Sequence, residues 1–183
     1  MSLSVRKIVI SGILGAISIL LGVTRLGFIP VPTPAGHATI MHIPAILGGV
    51  LEGPVVGLIT GAIFGLFSFL QPGAPFFADP LVSVFPRLFI GVVAYLVYYA
   101  TKRINTILAC VLAGAAGSAT NTVLVLGMAT IRGYLPPEIS VSIGILHGVP
   151  ELIVAAVLTV ILVKGIRRIR PEEEEEEAKE PQS

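Results

Sequence analysis

Apolar residues in this chain run in long blocks, with polar ones gathered between them. A helix needs about 20 mostly apolar residues to cross the bilayer core, within a range of roughly 17–25. Blocks bounded by charges and breakers predict six crossings. The first covers residues 8–23, between Arg6-Lys7 and Arg25; the second and third share the tract 39–70, divided by Glu52-Gly53-Pro54. Proline suits a first helical turn and glycine the position past a helix end, so the triplet reads as a tight hairpin between two short helices. The fourth covers 81–100, the fifth 106–128 and the sixth 142–163. The first block does not read as a signal peptide, because no small-residue cleavage site and polar mature chain follow it.

Charge sets the expected orientation. With the N-terminus inside, cytoplasmic ends hold Arg6, Lys7, Lys102, Arg103, Lys164, Arg167, Arg168 and Arg170, against Arg25 and Arg132 outside. That satisfies the positive-inside rule for an even number of spans. The expected fold is therefore an all-α, six-transmembrane-helix bundle over residues 1–170, N-in/C-in, with structured external loops. Residues 171–183, with Glu172 to Glu177 in a row, read as a solvated, disordered cytoplasmic tail.

Composition narrows the class further. Of 183 residues, 54% are apolar and 13% charged, against roughly 25% charged in soluble domains. A small globule has too much surface to hide that much apolar area, which excludes a soluble domain, and a disordered chain as well. A net charge of +1 supplies no field for a polyanion, so nucleic acid is not a partner. A lone Cys110 excludes a disulfide framework and a cysteine-rich metal site.

Two external connections are long and proline-rich. Residues 24–38 hold Pro30, Pro32, Pro34 and Gly36, and residues 71–80 hold Pro72, Gly73, Pro75 and Pro80. Proline fixes φ and removes a donor, so these read as turns or extended segments rather than helix. Long structured loops on one face suit a ligand lid, though they also suit plain connectors.

Charged groups at membrane depth cost at least about 2.5–3.5 kcal/mol on insertion scales and usually face a cavity or a partner. Here they are Arg87 in the fourth span, His147 and Glu151 one turn apart in the sixth, and His42 at the outer start of the second, joined by the amide Asn121 in the fifth. A rise of 1.5 Å per residue sets all five roughly 6–14 Å from the outer helix ends. Polar groups from four helices at one depth point to an outward-opening pocket. Bland readings stand beside this one: an Arg87–Glu151 structural ion pair, Asn121 as interhelical glue, histidines satisfied by carbonyls. His42, His147 and Glu151 are acceptable metal-ligand types, but nothing fixes their geometry, and neither a metal nor a cofactor is expected. Arg87 carries the sharpest chemistry, since a guanidinium grips a carboxylate or phosphate in a fork.

Small residues recur at four-residue spacing. The first span has Ser11/Gly15 and Gly12/Ala16, the third Gly57, Gly61 and Gly65, the fifth Ala109, Ala113 and Gly117. Such pairs let backbones approach in lipid; those of the first span could dock a second membrane protein. Catalytic signatures are absent. There is no phosphate-binding loop ending in Lys-Ser/Thr, no nucleophile elbow, and His147-Gly-Val-Pro-Glu151 lacks the spacing of a zinc protease. Uphill transport would need a partner or an ion gradient.

Taken together, Thr39-Ile-Met-His42-Ile-Pro44, then Gly48-Gly49, Glu52-Gly53-Pro54, Gly57, Gly61, Phe64-Gly65-Leu66 and Ser68, then Phe85-Pro86-Arg87, Gly91 and Asn121-Thr122 resemble the substrate-binding S component of energy-coupling factor (ECF) vitamin transporters. The similarity spans residues 5–168, and the His-Ile-Pro and Pro-Arg segments look like the pantothenate-specific branch. The resemblance implies a vitamin bound in an outward pocket under the first loop, with Thr39, His42, Phe85, Arg87, Asn121, His147 and Glu151 as substrate-binding residues. It implies docking through the first helix to a transmembrane coupling subunit bound to two cytosolic ATPases, in a prokaryotic plasma membrane. The family's first-helix motif is typically Ala-xxx-Ala; here Ser11/Gly15 or Gly12/Ala16 would stand in. Arg87 would clamp the pantothenate carboxylate while Asn121, His147 and Glu151 bond its hydroxyl and amide groups. A flat vitamin such as riboflavin, the alternative ligand, would call for aromatic stacking, which 7% aromatic residues and no tryptophan disfavour, although Phe76, Phe77, Phe85 and Tyr134 are available near the outer face. The competing readings are a proton-coupled carrier using Glu151 and His147 and, behind it, an intramembrane enzyme.

Overall fold

The computed structural model describes residues 4–30 and 37–169. The tail 171–183, Arg170 and the centre of the first proline-rich loop lie outside the described residues. Among those described, the chain forms α1 (Val5–Val23), a ribbon of β1 (Phe28–Pro30) and β2 (His37–Thr39), α2 (Ile43–Glu52) and α3 (Pro54–Leu70). A 3₁₀ turn (Pro75–Ala78) and the one-turn α4 (Pro80–Ser83) lead into α5 (Phe85–Thr101) and α6 (Thr106–Ile131). The last rod runs through α7 (Pro137–Ile143), a π-helical turn (Gly144–Gly148) and α8 (Val149–Ile169). The ribbon is antiparallel, pairing Phe28 with Thr39 and Pro30 with His37.

Apart from this ribbon, the described residues form a helical membrane bundle. Four rods are long and apolar enough to cross a bilayer: Val5–Val23, Pro80–Thr101, Thr106–Ile131 and Pro137–Ile169; α2 and α3 are apolar but shorter. Large apolar side chains such as Ile13, Val123, Ile153 and Val157 are exposed, as a lipid-facing surface requires. The described residues 24–30, 37–42, 71–84 and 132–136 share one end, here the loop end. Residues 52–54 and 102–105, with the start of α1 and the end of α8, share the other, the turn end.

Helix starts follow local chemistry. Asn105 caps α6 by accepting from the N–H groups of Ile107 and Leu108, and Gly53 at φ +98° makes the α2–α3 turn, a backbone region open to glycine. Several boundaries differ from those the pattern predicts, three of them at the loop end. The fourth span breaks at Val84, before Pro86. The fifth extends to Ile131, and the sixth starts at Pro137. The second loop is partly helical, because Pro75 and Pro80 each start a turn rather than prevent one.

Helix α2 spans only ten residues, about 15 Å at 1.5 Å each. Residues Met41 to Val50 are all buried, so it is the central helix, sheathed by its neighbours. Non-helical backbone at membrane depth survives only where protein covers it; Met41 and His42 meet that condition as they lead into α2. Around α2 the backbones touch. A Cβ on Gly91 would lie 2.4 Å from Cα of Gly57 and 2.5 Å from the Ala45 carbonyl oxygen, and one on Gly49 would lie 2.0 Å from the Gly91 carbonyl oxygen. Small residues here knit α2, α3 and α5 together, as expected where lipid supplies no hydrophobic drive.

Candidate functional site

The site is built from four rods at one level. Helix α6 runs towards the loop end and α2 away from it, and they meet where a Cβ on Gly117 would lie 2.6 Å from Ile46. One turn nearer the loop end on each stand Asn121 and His42. Helices α6 and α8 are antiparallel, with Gly114 against Ala155 and Ala156 and Gly148 against Thr122. That register sets Glu151 and His147 beside the same stretch of α6. Arg87, in the first turn of α5, interacts electrostatically with both Glu151 and His42. The structure thus brings His42, Arg87, Asn121, His147 and Glu151 to one region.

Asn121 and Glu151 lie deeper than the sequence pattern predicts. Asn121 is ten residues from the end of α6 and Glu151 fourteen from the start of α7, roughly 15 and 20 Å along the rods. The longer helices account for the difference. His42, Arg87, Asn121 and Glu151 are buried, and His147 is partly so. The π-helical turn contains His147; such turns interrupt regular packing and occur often at functional sites.

Hydrogen bonding divides these groups in two. One Glu151 oxygen, Oε1, accepts from the backbone N–H of Thr39 at 2.7 Å and lies 3.2 Å from Nε2 of His147. The ribbon is therefore tied to α8 inside the bundle. By contrast, both ring nitrogens of His42, Nε of Arg87, Oδ1 of Asn121 and Nδ1 of His147 are buried with no partner among the described residues. Buried polar atoms without partners cost about 1–3 kcal/mol each, so five in one region set it apart from the rest of the described core. Ser18, Thr60, Ser118 and Thr159 also have unpartnered hydroxyls, but a helical hydroxyl can rotate onto the carbonyl one turn back.

Arg87 forms no ion pair with Glu151 within 4 Å. Its Nη1 donates to the Val82 carbonyl, and its guanidinium lies over the rings of Phe77 (4.8 Å) and Phe64 (5.4 Å). The sequence offers Phe77 as an outer-face aromatic but not as a partner of Arg87; Phe64 sits in the glycine-rich stretch of α3, where an aromatic among small residues is the available signal. Phe85 and the Ser11/Gly15 pair sit apart from the cluster and from the exposed face of α1, respectively. Phe85 is exposed and packs edge-on against Phe89, because residues two apart on a helix cannot share a face with Arg87. Ser11 and Gly15 are buried within the bundle, where a Cβ on Gly15 would meet Ile63 at 2.6 Å, whereas Gly12 and Ala16 face outward.

Above this cluster, Oδ2 of Asp79 accepts from Nε of Arg132 at 2.7 Å and from the Tyr134 hydroxyl at 3.2 Å. The Arg132 hydrogen bond, then that from the Leu81 N–H, holds the Asp79 carboxyl below the usual carboxylate range, and Asp79 raises Arg132 in turn. A separate cavity of about 690 Å³ opens at the turn end, lined by Thr106, Ile161, Val163, Lys164, Gly165, Arg167 and Arg168; it shares no residue with the loop-end cluster.

A bundle that encloses unpartnered polar groups beneath an ordered ribbon is the architecture of a membrane solute-capture protein. The chain matches the family model "ECF transporter, substrate-specific component" over residues 6–163. It is also 30% identical over 161 residues to the pantothenic acid transporter PanT of Lactococcus lactis subsp. cremoris, covering 72% of this chain and 79% of the relative. The chain belongs to the substrate-specific components of ECF transporters. It is a multi-pass cell-membrane protein and the substrate-binding subunit of an ECF vitamin importer.

Proposed function

We propose that this subunit captures pantothenate from outside the cell and catalyses no reaction of its own. The observation that carries the reading is the set of buried, unpartnered polar atoms around a cationic Arg87. Pantothenate offers one carboxylate, one amide and two hydroxyls. Arg87 takes the carboxylate, with Nε as a free donor; His42, Asn121 and His147 take the hydroxyl and amide groups. Glu151 ties the ribbon through Thr39 and repels a second anion. The name of the Lactococcus relative supports the same ligand.

Topology and coupling complete the reading. The chain crosses six times, N-in/C-in, as one domain to about residue 170 with an acidic tail beyond it. Central α2 makes a half-length crossing that the segment before it completes. The loop end faces outward and the turn end, rich in lysine and arginine, faces the cytoplasm. Gly12 and Ala16, exposed on α1, dock the transmembrane coupling subunit, which two cytosolic ATPases drive.

Equilibrium dialysis of radiolabelled pantothenate against detergent-purified protein tests this. Wild type should bind with high affinity, and Arg87→Ala should weaken binding at least about 100-fold, the scale of a lost charge-assisted fork. Equal affinity in the two proteins would remove Arg87 from the site and sink the assignment.

A further inference from the structure

We infer that Asp79 positions the Arg87 guanidinium, and so governs recognition of the ligand's acidic group without touching it. The inference rests on the binding role proposed for Arg87. Two of the groups that hold this guanidinium, the Phe77 ring and the Val82 carbonyl, come from residues 75–84. That segment is a 3₁₀ turn and a one-turn helix joined at Asp79. Helices this short cannot hold themselves, because nucleation costs more than one turn of hydrogen bonds returns.

Asp79 supplies the missing restraint from several atoms at once. Its Oδ1 accepts from the Leu81 N–H at 2.9 Å, capping α4, and its backbone oxygen accepts from the Ser83 hydroxyl at 2.9 Å. Its Oδ2 takes Arg132 and Tyr134 from the turn that follows α6. One carboxylate therefore locks the segment to itself and to the rim of α6. Val82 adds an apolar contact beneath, packed with Val125 and Ala129, which keeps the segment near the bundle when the carboxylate is removed. The chain of positioning runs from Arg132 through Asp79 to Phe77 and Val82, and from these to Arg87. Asp79 is thus a positioning residue.

The test compares two ligands: pantothenate, and the alcohol analogue in which CH₂OH replaces the carboxylate. Asp79→Ala should weaken pantothenate binding by about tenfold or more, the scale of a displaced charge-assisted contact. Binding of the alcohol should change by less than about threefold, because no carboxylate remains for Arg87 to meet. In an Arg87→Ala background, Asp79→Ala should have no further effect on pantothenate, since coupled residues are non-additive. Equal weakening of both ligands, or an undiminished effect without Arg87, would overturn the inference by showing only general damage. Should Asp79→Ala fail to fold, Arg132→Ala and Asp79→Asn weaken the same tie and are read the same way. The failures are separable: an Arg87→Ala protein that binds pantothenate normally defeats the proposed function, whereas a normal Asp79→Ala beside a defective Arg87→Ala defeats this inference alone.

Discussion

The backbone N–H of Thr39 donates to Oε1 of Glu151 at 2.7 Å, joining positions 112 residues apart in the chain. Thr39 closes the ribbon that caps the loop end, and Glu151 stands in the buried face of α8. This bond is thus a latch between the loop and the bundle. Hydrogen bonds to charged groups contribute about 1.5–3 kcal/mol, which corresponds to roughly 10–100-fold in a rate. Glu151→Ala should speed pantothenate dissociation by that order, and Glu151→Gln, which keeps an acceptor oxygen, by less. A radioligand chase checks this. An unchanged dissociation rate in the alanine variant would mean that the ribbon does not depend on Glu151.

Arg87 lies over two aromatic rings while its Nη1 is held by a carbonyl. That geometry uses the planarity of the guanidinium as well as its charge. Lysine keeps the charge but presents a compact, strongly hydrated ammonium with no fork. Arg87→Lys should therefore lose at least about tenfold in pantothenate affinity, the equivalent of about 1.4 kcal/mol. The same dialysis measurement checks it. Wild-type affinity in the lysine variant would show that a point charge suffices.

Much of this arrangement is legible from spacing. Ionisable side chains are costly in lipid, so Arg87, His147 and Glu151 stand out against apolar blocks, and helical rise brings them to a common level. Gly53-Pro54 marks the α2–α3 turn for the same elementary reason, a positive φ followed by a residue that can only begin a helix. Other features depend on contacts that no local pattern carries. Phe77 reaches Arg87 only because Pro75 and Pro80 start turns that fold residues 75–84 back over α5. Phe85 enters the expected set through the Phe85-Pro86-Arg87 resemblance, yet a step of two residues turns a helix by about 200°, and Phe85 is exposed while Arg87 is buried. Ser11/Gly15 and Gly12/Ala16 are equivalent as spacing motifs; only the presence of Ile63 opposite one pair separates them.

The Asp79–Arg132 tie gives a pH dependence of defined sign. Its partners hold the Asp79 carboxyl below the usual range, so the folded state favours the charged form. The stabilisation is fully present above the unfolded value of about 3.9 and is lost as pH falls through the lower folded value. The difference in Tm between wild type and Asp79→Asn should stay constant from about pH 8 to pH 5 and shrink on further acidification. Thermal melts in detergent across that range check it. A difference that grows on acidification would have the wrong sign for a charged Asp79.

The two faces of α1 should respond oppositely to added bulk. A Cβ on Gly15 would lie 2.6 Å from the Ile63 side chain, whereas nothing lies within 4 Å of one on Gly12. Gly15→Leu should cost stability on the scale of core overpacking, about 1–3 kcal/mol, and lower the Tm. Gly12→Leu should leave both the Tm and pantothenate binding at wild-type values, because its side chain points away from the bundle. If the exposed Gly12/Ala16 stripe is where the coupling subunit sits, the same bulk prevents close backbone approach. Gly12→Leu should then abolish co-purification with the coupling subunit and ATP-driven uptake in proteoliposomes while the isolated subunit still binds ligand. Loss of ligand binding in Gly12→Leu, or uptake at the wild-type rate, would move the docking surface to another helix.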